Sequence, residues 1–170
     1  PNFFLTIKKL EEPEHLPVPV STFPDWRWKR CDIKSLNLLA NVLAKKDAEK
    51  KGSYEAILID DNGYVTEGSA STPFIVDSKN NSIITRPLGP EILPSVTRLI
   101  LTKIAPSAGV NIIEKNLRPQ DFKTADEAFI VATTRDILAV GSFDNAVIGS
   151  GKIGPLTAKL KKTLRQFARD

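Results

Sequence analysis

The chain predicts an α+β fold built on a mixed or mostly antiparallel sheet. Three observations carry this. "YEAILIDDNGYVTEG" (54–68) and "TPFIVDSKNNSIITR" (72–86) each place two apolar runs around a short turn-forming stretch, the pattern of a hairpin. "LPSVTRLILTKIAPSAG" (93–109) and "GPLTAKLKKTLRQFARD" (154–170) carry apolar residues at helical spacing. Hairpins and helices are interleaved without an internal repeat, which fits a sheet with helices packed against it.

Taken in order, "FFLTIKKL" (3–10) predicts a short strand, and the proline-rich "EEPEHLPVPVSTFPDWRW" (11–28) an extended connector. From Ser35 the period becomes helical: Leu36, Leu39, Ala40, Leu43, Ala44 and Asp47 share a face, Ser35 is placed to cap the start, and Gly52 stops the run. In the first hairpin, Asn62-Gly63 predicts the two positive φ angles of a tight turn. The second hairpin turns near Asn80 and Asn81. Ser95 can cap the next helix, whose expected buried face is Val96, Leu99, Ile100 and Ile104, and Gly109 ends it. "VNIIEKNL" (110–117) is a strand, and Pro119 sits at a possible first helical position. "DEAFIVATT" and "DILAVGSF" are strands around "TTRD". The last helix presents Leu156, Leu160, Leu164 and Phe167.

Composition excludes several function classes. The 170 residues can bury a real core, and 41% hydrophobic with 26% charged is an ordinary globular balance. Net charge is only +4, and the densest basic cluster, Lys159, Lys161, Lys162, Arg165 and Arg169, occupies one helical segment, so nucleic acid is not the expected partner. Cys31 and His15 are each alone, which argues against a disulfide, a cysteine metal site or a histidine-based zinc or triad site; no metal is expected. No apolar run reaches the ~18 residues of a membrane span, so no membrane is expected either.

Three places have a physical logic for a charged, phosphorylated ligand. Lys34, in "RCDIKSLN" (30–37), lies just before the expected helix with Arg30 four residues back. A helix N-terminus and a nearby cation would both favour a neutral amine, the form a Schiff-base lysine needs. In "ILPSVTR" (92–98), a capped helix start offers the N–H groups of Val96 and Thr97 and a hydroxyl to a phosphate. In "VATTR" (131–135), adjacent hydroxyls at a strand end could complete a phosphate cup. Taken alone, each is more often a surface lysine, an ordinary capped helix and a polar turn. Glu67, in "VTEGSAS", ends a hairpin strand and by itself is an ordinary exposed carboxylate.

Together, "RCDIKSLNLLANVLAKKDAEKKG", "YEAIL", "VTEGSAS", "ILPSVTR" and "VATTRDI" resemble the pyridoxal-phosphate enzymes of fold type IV, in the same order and near the same spacing. "RCDIKSLN" is most similar to the D-amino-acid aminotransferase branch. The resemblance runs from about Pro24 to about Phe167. It implies a partly barrel-like sheet, with a connector and first strand in 1–29 and the cofactor-binding domain in 30–170; the family's smaller preceding domain, which supplies an arginine to the phosphate, is expected to lie outside this chain.

The resemblance also implies the chemistry: transamination between a D-amino acid and a 2-oxo acid, with pyridoxal 5'-phosphate on Lys34 as a Schiff base. Lys34 would then carry the proton, Glu67 would pair with the pyridine nitrogen, and Leu93 would pack on the ring. Val96, Thr97 and Thr133 would hold the phosphate, and Ala70 would lie nearby. A cytoplasmic homodimer is the implied setting. Branched-chain aminotransferase and aminodeoxychorismate lyase are the same-fold alternatives, and a non-catalytic binding module that keeps the fold is the alternative of another class. Two positions depart from the pattern: Thr72 stands where these aminotransferases usually carry asparagine, and Pro94-Ser95 where a glycine often precedes the phosphate-binding helix.

Overall fold

The apolar runs of the chain pair into one mixed sheet. The structure is a computed structural model that describes residues 3–7 and 16–168. Its strands are β1 (Val18–Pro24), β2 (Glu55–Ile59), β3 (Val65–Gly68), β4 (Thr72–Asp77), β5 (Ser82–Thr85), β6 (Asn111–Glu114), β7 (Glu127–Ala132), β8 (Asp136–Phe143) and β9 (Ala146–Val147). The helices are α1 (Leu39–Lys50), α2 (Val96–Ile104), α3 (Pro119–Lys123) and α4 (Pro155–Phe167). Strand order is β3-β2-β1-β8-β7-β4-β5-β6, with β9 beside β8. The hairpin-derived pairs are antiparallel, whereas β1 runs parallel to both β2 and β8, and β5 parallel to β6. The sheet curls into a half-barrel, as a mixed α+β fold of this kind implies.

The period-two alternation of the central strands divides the core into two faces. Ile75, Ile84, Ala128, Ile130 and Leu138 point to one side, where Phe122 of α3 joins them. Phe74, Val76, Ile83, Phe129, Val131 and Ile137 point to the other, under Leu101 of α2 and Leu160 and Leu164 of α4. Strands buried on both faces read as continuous apolar runs, which is why β4 and β7 show little polar punctuation. A smaller cluster seats α1 on β1 and β2 through Ala44, Ala48, Phe23, Ala56 and Leu58. The buried carboxylate of Glu127 closes the start of α4 by accepting from the amides of Leu156 (3.0 Å) and Thr157 (2.8 Å). Gly154 is needed there because a Cβ would run into that carboxylate.

Several local expectations hold. Asn81 turns the second hairpin at φ 47°. Ser95 caps α2 through the amide of Arg98 (3.2 Å). Gly109 ends the segment in the left-handed region at φ 69°, and Pro119 is the first residue of α3.

Others are corrected. Residues 3–7 form no strand and are exposed, and residues 8–10 of that expected element lie outside the described residues. Val18–Pro24 is not a connector but a strand between β2 and β8. Pro19 is tolerated in it because the register with β8 shifts between Val18 and Pro19, where a missing N–H breaks no regular ladder. In the first hairpin only Gly63 has positive φ (77°); Asp60 organises a longer loop by accepting from the amides of Asn62 and Tyr64 (2.9 Å each). Helix α1 starts at Leu39 rather than after Ser35. The Ser35 hydroxyl accepts from the amide of Asn37 (3.3 Å), a local turn that competes with helix. Of its expected apolar face, Leu36, Leu39 and Leu43 are exposed.

The buried face of α2 is rotated from the expected one: Thr97, Arg98, Leu101 and Ile104 are buried, while Val96 and Leu99 are exposed. In α4, Leu160 and Leu164 are buried as expected but Phe167 is exposed. The two leucines of α2 allow a direct check of its orientation. Leu101→Ala should lower unfolding free energy by about 2–5 kcal/mol through lost burial and a cavity, and Leu99→Ala should change it by no more than about 0.5 kcal/mol. Denaturant melts of the two variants measure this, and a larger loss at Leu99 would reverse the assigned face.

Candidate active site

The site is assembled where the loop after β1 meets β3 and the loop before α2. The loop opens with Asp25, whose amide donates to the carbonyl of Ile59 (2.8 Å) and so continues the β1–β2 pairing for one residue. Asp25 then takes Arg27 in a fork: Nε donates to Oδ1 (2.8 Å) and Nη2 to Oδ2 (2.7 Å). The same guanidinium pairs through Nη1 with Glu67 of β3 and donates through Nη2 to the carbonyl of Glu91 (2.9 Å). Glu67 completes its set by accepting from the amide of Leu93 (3.1 Å). Farther along, the amide of Cys31 donates to the carbonyl of Pro90 (2.7 Å), which ties the lysine loop to the loop before α2.

These contacts frame a cleft of about 270 Å³, with Lys34, Glu67, Leu93, Arg27, Cys31 and Asn41 among its walls. Lys34 is exposed, and among the described residues it makes no ion pair. Glu67 is only 8% exposed. One free amine and one buried carboxylate therefore share a small cleft with an apolar side chain.

Charge inside this cluster is unevenly shared. Burial opposes the charge on Arg27, but the fork to Asp25 and the charges of Glu67 and Asp25 outweigh it, and its pKa is raised. Burial also works against Asp25, yet the hydrogen bonds and charge of Arg27, with a hydroxyl from Thr66, hold its carboxyl below the ordinary value. For Glu67, burial wins: its carboxyl is pushed up despite Arg27 and the Leu93 amide. The two carboxylates that share Arg27 are therefore shifted in opposite directions, and of the two it is Glu67 that lines the cleft. Burial likewise raises the thiol of Cys31, against the pull of Arg27, and its Sγ–H is spent on the carbonyl of Trp28 (3.0 Å).

The sequence-predicted residues divide into two groups. Lys34, Glu67 and Leu93 are brought to one cleft; Ala70, Val96, Thr97 and Thr133 are not among its lining. Val96 and Thr97 begin α2, three residues beyond Leu93, and among the described residues their amides have no hydrogen-bond partner. Val96 is exposed and Thr97 buried. Thr72 pairs with Val131 in antiparallel register, so Ala70 and Thr133, both exposed, lie at the same end of neighbouring strands.

Two expectations about Lys34 are corrected. The helix begins five residues after it, and Arg30 is engaged by Asp32 (2.9 Å twice), so neither the helix terminus nor a free Arg30 charge is where the spacing put it. Sequence reasoning also missed Arg27 and Asp25. Their signal was the Asp-x-Arg spacing in "DWR", which matters only opposite a buried Glu67.

Comparison with known proteins places this arrangement. The amino-transferase class IV family model matches residues 1–143. A D-alanine aminotransferase of Bacillus licheniformis is 42% identical over 159 residues, covering 94% of this chain and 55% of that protein. One from Listeria monocytogenes is 42% identical over 142 residues, 84% of this chain and 48% of that protein. Among solved structures, the branched-chain aminotransferase of Thermoproteus uzoniensis with norvaline matches at TM-score 0.83 and 29% identity, over 94% of this chain and 54% of that one. The branched-chain amino acid aminotransferase of Thermobaculum terrenum in its PLP-form matches at TM-score 0.82 and 26% identity, over 92% and 53%. The chain spans about half the length of the curated relatives it matches. With the family model spanning most of its length and the lysine–carboxylate cleft inside the matched region, this chain belongs to the class IV aminotransferase family.

Proposed function

We propose that the chain supplies the cofactor-holding part of a pyridoxal-phosphate aminotransferase that exchanges an amino group between a D-amino acid and a 2-oxo acid. The observation that carries this is the placement of one lysine, Lys34, unpaired among the described residues, and one buried carboxylate, Glu67, on the same cleft. The D-amino-acid branch is favoured by identity to D-alanine aminotransferases of 42%. A second copy of the chain is the proposed partner, and the cytoplasm the proposed setting; no helix among the described residues is long and apolar enough to cross a membrane.

The donor set suits the cofactor. Lys34 would hold it covalently, and the same amine, once released, is the group available to move a proton. Glu67 would hold the ring nitrogen, because it is the buried carboxylate on the wall of the same cleft as Lys34. Leu93 offers an apolar wall. The unpartnered amides of Val96 and Thr97, the Thr97 hydroxyl and Thr133 would take the phosphate, with Ala70 near the same sheet end. When bound, pyridoxal phosphate supplies an electron sink for the electron pair released at the amino acid's α carbon. Arg27 holds Glu67 in place, and Asp25 orients that arginine through the fork.

Labelling tests the lysine. Adding pyridoxal phosphate and then borohydride should fix the cofactor's mass on Lys34, and Lys34→Ala should lose the label. The same variant should change stability by no more than about 0.5 kcal/mol, because the side chain is exposed. A label mapped to another lysine would move the site.

Glu67→Gln should retain the Lys34 label and lower turnover of D-alanine with 2-oxoglutarate by about 100-fold or more, as loss of a positioned acid or base does. Turnover within a factor of a few of wild type would remove Glu67 from the ring nitrogen.

Asp25 generates a pH dependence. Its folded-state pKa is depressed below an ordinary value near 3.8, so its contribution to stability is present above that value and lost as pH falls through the folded one. Asp25→Asn should therefore destabilise most at neutral pH, with the gap to wild type closing in acid below about pH 3.8. Chemical melts at pH 7 and in steps through the acid range read this directly; a gap that widened in acid would contradict it.

A further inference from the structure

The first residue of β2 is a glutamate, inside the "YEAIL" stretch, to which the proposed chemistry gives no role. Glu55 is 4% exposed. Its carboxylate accepts from the hydroxyl of Ser69, from the hydroxyl of Ser71 (3.1 Å) and from the amide of Ala56 (2.9 Å). Among the described residues no cation pairs with it, so three neutral donors offset the cost of burying it. Those serines belong to the turn that follows Glu67.

That turn is closed by one internal hydrogen bond and held by two from other elements. The amide of Gly68 donates to the carbonyl of Ser71 (2.7 Å), and the amide of Ser69 to the carbonyl of Ala56 (2.9 Å). Gly68 has no room for a side chain, because a Cβ would collide with the Ser71 hydroxyl on its way to Glu55. From the opposite side, Asn41 in the first turn of α1 donates its side-chain N–H to the carbonyl of Ser69 (2.8 Å). Asn41 also lines the cleft and follows Lys34 by seven residues.

We propose that Glu55 and Asn41 are positioning residues that act through Ser69: together they lock the turn after Glu67 to the helix after Lys34, and so set the lysine and the carboxylate relative to each other. This rests on the proposed roles of Lys34 and Glu67. A carboxylate suits the task because both of its oxygens accept, whereas a glutamine would present an N–H to a serine already donating. The coupling matters because misplacing a reacting group by a fraction of its working distance lowers rate without abolishing binding.

The test uses the complete protein carrying Glu55→Gln or Asn41→Ala, with two readouts. In the cofactor-free form, amide hydrogen exchange should accelerate at Gly68 and Ser69 and stay unchanged at Phe129 in β7. In the form loaded with pyridoxal phosphate, borohydride should still label Lys34. The absorbance band of the bound cofactor should shift, and kcat should fall about tenfold to a hundredfold with a smaller change in KM. Exchange that rises equally across the sheet would reduce Glu55 to a general structural role and overturn the proposal. So would a labelled variant with wild-type band and kcat. Absence of the label from Lys34 in the wild-type protein would instead overturn the assignment of the lysine itself, and this proposal with it.

Discussion

A buried guanidinium has to be satisfied on every side, and Arg27 satisfies itself from three separate stretches of chain. Asp25 grips it from two residues away, Thr66 and Glu67 meet it from β3, and the carbonyl of Glu91 reaches it from the loop before α2. Removing a partner would leave a buried donor unmatched or a carboxylate without its cation, so the cluster is held as a unit. That unit fixes the cleft: the lysine loop starts at Arg27, the carboxylate of Glu67 is one of its partners, and Leu93 is tied back through its amide. A second clamp ties the loop before α2 to the β2–β3 hairpin, with Arg86 bound to Asp60 (3.1 Å) and to the carbonyl of Val65 (3.1 Å).

The sheet makes this cluster possible. Running β1 parallel to β2 brings the loop after Pro24 alongside the β2–β3 hairpin, within reach of Thr66 and Glu67. If β1 were a free connector, Arg27 would have no fixed approach to Glu67. The two apolar faces behind it serve different ends. Phe74 and Phe129, stacked at 5.1 Å, join β4 to β7 beneath α2 and α4, and so set the helix that Leu93 precedes. On the opposite face Phe122 and Phe143 stack at 5.1 Å and hold α3. Neither core reaches the exposed leucines of α1, whose buried apolar contacts come from Ala44 and Ala48.

The buried carboxylates show how one residue type is used in three ways. Glu127 closes a helix start, Glu55 gathers the serines of a turn, and Glu67 faces the cleft with its pKa raised by burial. The first two are surrounded by neutral donors. Of the three, only Glu67 combines a cation, an amide and access to a cavity.

Much was legible from sequence where the physics is local. Ser95 caps because its hydroxyl reaches an amide three residues on, Pro119 starts a helix because its missing N–H is not needed there, and Asn81 turns a hairpin because it tolerates positive φ. The order and spacing of the motifs around Lys34, Glu67 and Leu93 likewise identified the family, which depends on the chain alone. The rest required tertiary structure. Ser35 looked like a cap, but its hydroxyl closes a shorter turn and the helix waits until Leu39. Either of two adjacent stripes on α2 could have been buried, and contact with β7 and α4 selected Leu101 over Leu99. Val18–Pro24 carries two prolines and reads as a connector; only a register shift against β8 lets it become a central strand. Arg27 and Glu67 are 40 positions apart, and no spacing rule links residues whose pairing is set by which strands lie side by side.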